Sequence, residues 1–202
     1  KGNPTVTMVR GNFRMEDAPS EERLPRYVTN FVDLGERGGD LQLAIELGGA
    51  PVLALRIDNV NVNAWFTVDR TFAAVACDRL TVDFAAEPNE VIWGGGEQLS
   101  HLVLNGRTFP MWTSEPGIGR EPGTPLTDLA NADGSGAGGD YWTTNYPQPA
   151  FLSSRGYAIE VGSWCYSILD FSDASRHRVS GWEGDFAFRL IDAEGFAPLP
   201  HL

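Results

Sequence analysis

A chain of 202 residues and 22.0 kDa has room for one large domain or two small ones, and 42% hydrophobic against 21% charged residues suits a buried core. The formal net charge of −12 repels phosphate and anionic headgroups alike, which argues against nucleic-acid and membrane partners. No run reaches the roughly 18 apolar residues that span a bilayer, and the apolar content excludes a disordered acidic tail.

Along the chain, residues 15–27 read as a polar surface connection. Period-2 alternation then dominates. Leu41, Leu43, Ile45 and Leu47 alternate with polar or small residues, and Gly48-Gly49 turns the chain into Leu53, Leu55 and Ile57. Val60, Val62, Ala64, Phe66 and Val68 repeat the pattern, followed by Leu80, Val82 and Phe84. Tyr157, Ile159 and Val161 form a further run, and Phe186, Phe188 and Leu190 the last. Such alternation predicts half-buried antiparallel strands, and many short strands between Gly, Pro, Asn and Asp clusters predict an all-β sandwich without amphipathic helices.

One stretch, about 113–148, breaks the rhythm. It is rich in proline, holds Asp133-Gly-Ser-Gly-Ala-Gly-Gly139, and is bordered or filled by Trp112, Tyr141, Trp142 and Tyr146. Disorder depletes aromatics, so a long loop without secondary structure of its own, packed against something, is expected here. The termini read as cuts in a longer polypeptide: Lys1 is not an initiator methionine, and Phe196 to Leu202 is linker-like.

Common catalytic signatures fail in turn. His101, His177 and His201 lie far apart without metal-ligand spacing, there is no GxSxG elbow, and no calcium-loop rhythm surrounds Asp133 and Asp140. No metal is expected. Cys77 and Cys165 sit in apolar runs as small buried hydrophobes. Of the 15 basic residues, 14 are arginine, suited to bidentate anion recognition but equally a product of base composition. Gly94-Gly95-Gly96-Glu97 lacks the GK[ST] of a phosphate loop; it requires tight backbone packing or dihedrals closed to other residues. Its carboxylate reads first as a buried group pinning the loop, with substrate contact as the alternative.

Trp93-Gly-Gly-Gly-Glu97 resembles the G-x-G-E element in the N-terminal β-sandwich of glycoside hydrolase family 31, the α-glucosidase clan. Phe109-Pro-Met-Trp-Thr-Ser-Glu-Pro-Gly-Ile-Gly-Arg120, Gly138-Gly-Asp-Tyr-Trp-Thr-Thr-Asn-Tyr146 and the early strand Met8 to Phe13 are similar to the sulfoquinovosidase branch, which hydrolyses α-glycosides of a sulfonated sugar. The resemblance implies a galactose-mutarotase-like supersandwich over 1–197, and over 198–202 the start of a linker to a (β/α)8 barrel. That barrel would carry both catalytic aspartates, since no A-D-F-G-E-like nucleophile segment occurs here and Asp185-Phe186 is no substitute. No residue of this chain is then catalytic, and the chain alone is expected to be inactive.

By the same resemblance, Trp112-Thr113-Ser114-Glu115 falls on the family's W-N-x-D element, which reaches the sugar. It makes Glu115 the candidate hydroxyl contact, with Arg120 and Trp112 beside it as substrate-binding candidates. Arg120 could orient Glu115, help with an anionic sugar, or pin the loop through a salt bridge. Glu97, Gly94, Gly96, Asp140, Tyr141 and Trp142 are candidates for structuring the loop. The implied partners are the barrel and a carbohydrate, with no cofactor and a bacterial cytoplasmic location. A free-standing carbohydrate-binding sandwich stays open as the alternative.

Overall fold

The computed structural model describes residues 5–9, 12–16, 28–37, 40–47, 50–58, 63–68, 79–162, 164–183 and 187–192. Cys77, Asp185-Phe186 and the 193–202 end lie outside them. The described elements are fourteen strands and one helix. In chain order the strands begin with β1 (Thr5–Val9), β2 (Asn12–Glu16), β3 (Val28–Arg37), β4 (Asp40–Leu47) and β5 (Ala50–Asp58). They continue with β6 (Asn63–Val68), β7 (Leu80–Ala85), β8 (Ile92–Gly96) and β9 (Thr108–Met111). After the helix α1 (Pro125–Asn131) come β10 (Pro147–Ser153), β11 (Tyr157–Val161), β12 (Ser167–Asp170), β13 (Arg176–Gly181) and β14 (Ala187–Asp192).

β1 and β2 form a hairpin of their own. The early strand expected at residues 8–13 is thus two strands, and residues 15–16 belong to β2 rather than to a connection. An eight-stranded antiparallel sheet runs β3-β4-β5-β6-β14-β11-β10-β8, and a four-stranded one runs β7-β13-β12-β9. Strands β4, β5, β7 and β11 lie where the alternation predicted them, and in β7 burial alternates residue by residue. β4 and β5 pair with Leu41 opposite Ile57 and Leu43 opposite Leu55, as the Gly48-Gly49 turn implies.

The two sheets face each other across one apolar core, so the all-β sandwich stands. Ile92, Phe151, Ile159, Val161 and Phe188 come from the larger sheet, and Phe109, Met111, Leu169 and Val179 from the smaller. The edge of the Phe84 ring meets Phe188 at 5.5 Å between centroids, and Phe151 meets Phe171 at 5.1 Å. Such pairs add about 0.5–1.5 kcal/mol each beyond the area they bury.

One carboxylate lies inside this core. Glu90 is 6% exposed and accepts hydrogen bonds from Ser153 Oγ, from Tyr157 OH at 2.7 Å and from the Glu87 amide at 2.8 Å. His177 Nε2 lies 3.1 Å from its other oxygen. Burial works to raise the Glu90 carboxyl, but these bonds outweigh it and hold it below its ordinary value of 4.5. Burial, together with the bond to Glu90, in turn pushes the Tyr157 phenol far up, so it stays a neutral donor.

Because the folded carboxyl lies below its unfolded value, its contribution is complete above the ordinary carboxylate range. It is lost as pH falls from that range through the folded value. Glu90→Gln is expected to lower stability at neutral pH by about 1–3 kcal/mol and to flatten the acid side of the stability curve. Urea unfolding across an acid-to-neutral series checks this; an unaltered acid slope would remove Glu90 from the titration.

Candidate functional site

β8 is the last strand of the larger sheet and β9 the last of the smaller, so the sandwich is open along this side. The connection from β9 to β10 folds over the opening. It is not devoid of secondary structure as the sequence suggested: it contains α1, seven residues with proline at the start, and a bridge between Thr113 and Thr144. So short a helix, preceded by Glu121-Pro-Gly-Thr124, leaves too little periodicity to read.

The glycine triplet starts the construction. Gly94 and Gly96 have φ of 126° and 83°, and a Cβ on Gly96 would lie 2.2 Å from the Tyr146 carbonyl oxygen. β8 therefore runs against the start of β10 at backbone distance, where the ladder slips register between Pro147 and Phe151. Glu97 follows, and here the expectation of a buried carboxylate fails. Its side chain is exposed, and its backbone does the structuring: the amide donates to Tyr146 O at 3.0 Å, and its carbonyl accepts from Thr144 Oγ1 at 2.7 Å. The buried carboxylate next to this strand is Glu90 instead. Glu97 borders an open groove of about 370 Å³ floored by Ala150, Leu152, Ala158 and Ile191.

Arg120 organises the loop. Its Nε donates to Ser100 Oγ at 2.9 Å, and its two terminal nitrogens donate to Pro116 O at 2.8 Å and Tyr141 O at 3.1 Å. It adopts φ 64°, a left-handed conformation that costs a non-glycine residue about 1–2 kcal/mol and is offset here by those bonds. Burial draws its guanidinium down from the ordinary value, opposed by the charge of Asp140. The acceptors are two carbonyls and a hydroxyl, so Arg120 pins the loop, but neither by a salt bridge nor by orienting Glu115. Around it the limbs interlock: Arg120 N donates to Gly138 O at 2.9 Å, and Thr143 Oγ1 to Pro116 O at 2.7 Å.

The returning limb anchors to β9. Tyr141 OH donates to Thr108 O at 2.6 Å, and its ring meets Phe109 edge-on at 5.5 Å. Asp140 Oδ1 accepts from the Tyr141 amide at 2.7 Å, and Trp142 packs half-buried against the core. Trp112 is half-buried too, edge-on to Tyr166 at 5.8 Å, with Tyr166 in turn against Trp182 at 4.8 Å. Glu115 is exposed, one residue past Ser114, whose amide donates to Thr144 O at 2.9 Å. Backbone bonds to the Thr144–Tyr146 segment thus tie down Glu97 and the Ser114 neighbour of Glu115, and among the described residues no ion pair joins Arg120 to either acid.

Ser153, Tyr157 and His177 were missed by sequence reasoning. The signal for His177 was parity: Arg176 and Arg178 flank it in a strand, which turns it inward among Phe151 and Phe171. Cys165 is half-buried and burial raises its thiol, consistent with an inert residue. Among the described residues no helix is long and apolar enough to cross a membrane, and no three metal-ligating side chains converge.

Arg120→Lys keeps the charge but cannot serve three divergent acceptors from one nitrogen. Loop amides between 117 and 141 are expected to exchange roughly 5–30-fold faster, the equivalent of about 1–2 kcal/mol. Hydrogen-exchange mass spectrometry checks it; unchanged protection would mean that the backbone contacts suffice.

No protein-family model matches the chain. A sulfoquinovosidase of Agrobacterium fabrum is 38% identical over 98% of this chain and 28% of its own length, and one of Escherichia coli is 33% identical over the same shares. A glycoside hydrolase family 31 sulfoquinovosidase from E. rectale, solved with an aza-sugar inhibitor, superposes with a TM-score of 0.77 at 33% identity, covering 95% of this chain and 27% of that one. The chain thus spans somewhat over a quarter of the relatives it matches. Taken with the fold, these likenesses make the chain similar to a portion of glycoside hydrolase family 31 sulfoquinovosidases.

Proposed function

We infer that the chain is the accessory module of a retaining α-glycosidase acting on α-sulfoquinovosides, packing on a catalytic barrel and supplying a loop to the sugar site. The observation that carries this reading is identity of 33–38% along 98% of the chain to enzymes of that activity, of which it makes up 28%. In this reading the chemistry belongs to two carboxyls of the barrel, about 5–5.5 Å apart, one attacking the anomeric carbon and one protonating the leaving oxygen. The 202 residues alone are inactive, and recognition of the sulfonate falls mostly to the barrel.

Glu115 supplies what the module adds. An exposed carboxylate with no partner among the described residues accepts hydrogen bonds from sugar hydroxyls when the site closes, and those bonds compensate for its lost water. The Arg120 pin and the Tyr141 anchor support the reading, because a fixed loop delivers that carboxylate without an ordering cost. Trp112 serves as an anchor of the loop base against Tyr166, and Arg120 contributes to binding by holding the loop in shape.

In the complete enzyme, Glu115→Ala is expected to reduce kcat/KM by about 1–3 kcal/mol, roughly 5–150-fold, with folding unaffected. Steady-state kinetics on a sulfoquinovoside together with a melting curve provide the check. Unchanged kinetics would take Glu115 out of the site. Saturable sugar binding by the 202 residues alone in calorimetry would favour the free-standing binding protein.

A further inference from the structure

We propose that a row of aromatic rings on the outer face of the smaller sheet holds the aglycone of the glycoside, the part beyond the bond that is cut. The proposal rests on the accessory-module reading and deepens it by assigning a further subsite. Trp112 follows β9, Tyr166 precedes β12 and Trp182 follows β13, so the three lie side by side at one end of the sheet. Ser167 pairs with Met111 on one side and Gly181 on the other, and all three are buried. Alternation therefore turns the adjacent aromatics outward. Trp164, two residues before Tyr166, is fully exposed. Three of the chain's six tryptophans gather here.

The rings form a fixed surface. Tyr166 meets both indoles edge-on, at 5.8 Å from Trp112 and 4.8 Å from Trp182 between centroids. All three stay half-buried, so part of each ring faces solvent. Trp164 adds nothing to the packing of the described residues, and so much apolar surface left in water marks a group that meets a ligand or a partner.

The extent and position of the patch select the occupant. Beyond the rings the same face is polar and paired within itself. Arg178 Nε donates to Asp83 at 2.7 Å, Thr108 Oγ1 donates to Asp170 at 2.8 Å, and Thr81 Oγ1 lies 3.0 Å from Ser180 Oγ. A stable protein partner buries about 800 Å² on each side, whereas a few rings at one strand end match a small organic group. Glu115 lies three residues after Trp112, within about 11 Å by chain reach, so the row continues the proposed sugar site. The sulfonated ring itself does not suit it. Glu115 and Glu183 bring negative charge to the row, and the Arg120 guanidinium is committed to Ser100, Pro116 and Tyr141. A neutral, carbon-rich substituent on the leaving oxygen instead packs on the rings and sheds its water.

Hydrolysis of methyl and octyl α-sulfoquinovosides by the complete enzyme and by its Trp164→Ala variant tests the proposal. Because Trp164 is fully exposed, its replacement spares the fold. KM for the octyl glycoside is expected to rise about 3–10-fold, while kcat and both constants for the methyl glycoside hold within about twofold. Trp164→Phe, which keeps a ring, is expected to recover most of the octyl KM. Equal changes on both glycosides, or no change on either, overturn the subsite. So does a melting midpoint that falls in the complete enzyme but not in the 202-residue chain, which would make the indole a protein contact. An unselective Trp164→Ala together with a kinetically impaired Glu115→Ala discards the aromatic row and retains the module reading. An unaltered complete enzyme inert towards both glycosides overturns that reading and the subsite with it.

Discussion

A carboxylate inside an apolar core survives only if its lone pairs are answered, and Glu90 has that condition met by three separate parts of the chain. The Glu87 amide closes the turn before β8, Ser153 reaches from the end of β10 and Tyr157 from the start of β11, while His177 Nε2 on β13 of the opposite sheet approaches to 3.1 Å. Sheet packing alone is non-directional and lets faces slide. A charged acceptor with three fixed donors does not, since moving any one of them leaves a buried polar group unpaired. The network therefore fixes where β8 begins, and with it everything built onto its far end.

What is built there is a closure. Among the described strands β8 and β9 each end a sheet, and such edges are open to solvent or to a neighbouring chain unless covered. The β9–β10 connection covers that side with side chains that also satisfy its own backbone: Thr144 on Glu97, Tyr141 on Thr108, Arg120 on Pro116 and Tyr141. Gly117 and Gly139 let the two limbs meet at backbone distance, a Cβ on Gly117 falling 2.4 Å from Gly139 Cα. The result differs in kind from a mobile lid. It has its own polar skeleton, a helix held by a buried threonine, and aromatic anchors running into the core.

Legibility in the sequence followed the same physics. β4, β5, β7 and β11 were readable because one face is apolar and the other polar, so period 2 survives in the letters. β13 was not, because Arg-His-Arg places charge or a titratable ring at both parities and hides the inward His177. The choice of carboxylate shows the limit most sharply. Glu90 lies two residues before the core residue Ile92 and shares its parity, which points it inward. Glu97 lies beyond three glycines with positive φ, where parity no longer predicts a direction. Proximity to the glycines favoured the wrong one. Glu115 and Arg120 were reached through motif resemblance. The structure then separated them, leaving the acid exposed and directing the base to neutral acceptors within the loop.

Under the proposed reading, that separation bears on how a sandwich module can contribute to catalysis carried out elsewhere in its polypeptide. Orientation of a bound sugar is sensitive to displacements near 1 Å, which can cost about a hundredfold in rate. A carboxylate on a loose loop would lose part of its hydrogen-bond energy to ordering at every turnover. In this chain the ordering is completed on folding, by a guanidinium whose bonds all go inward. The same rigidity has a second consequence. The polar contacts of Thr127 hold α1 with Leu126 and Leu129 turned to solvent.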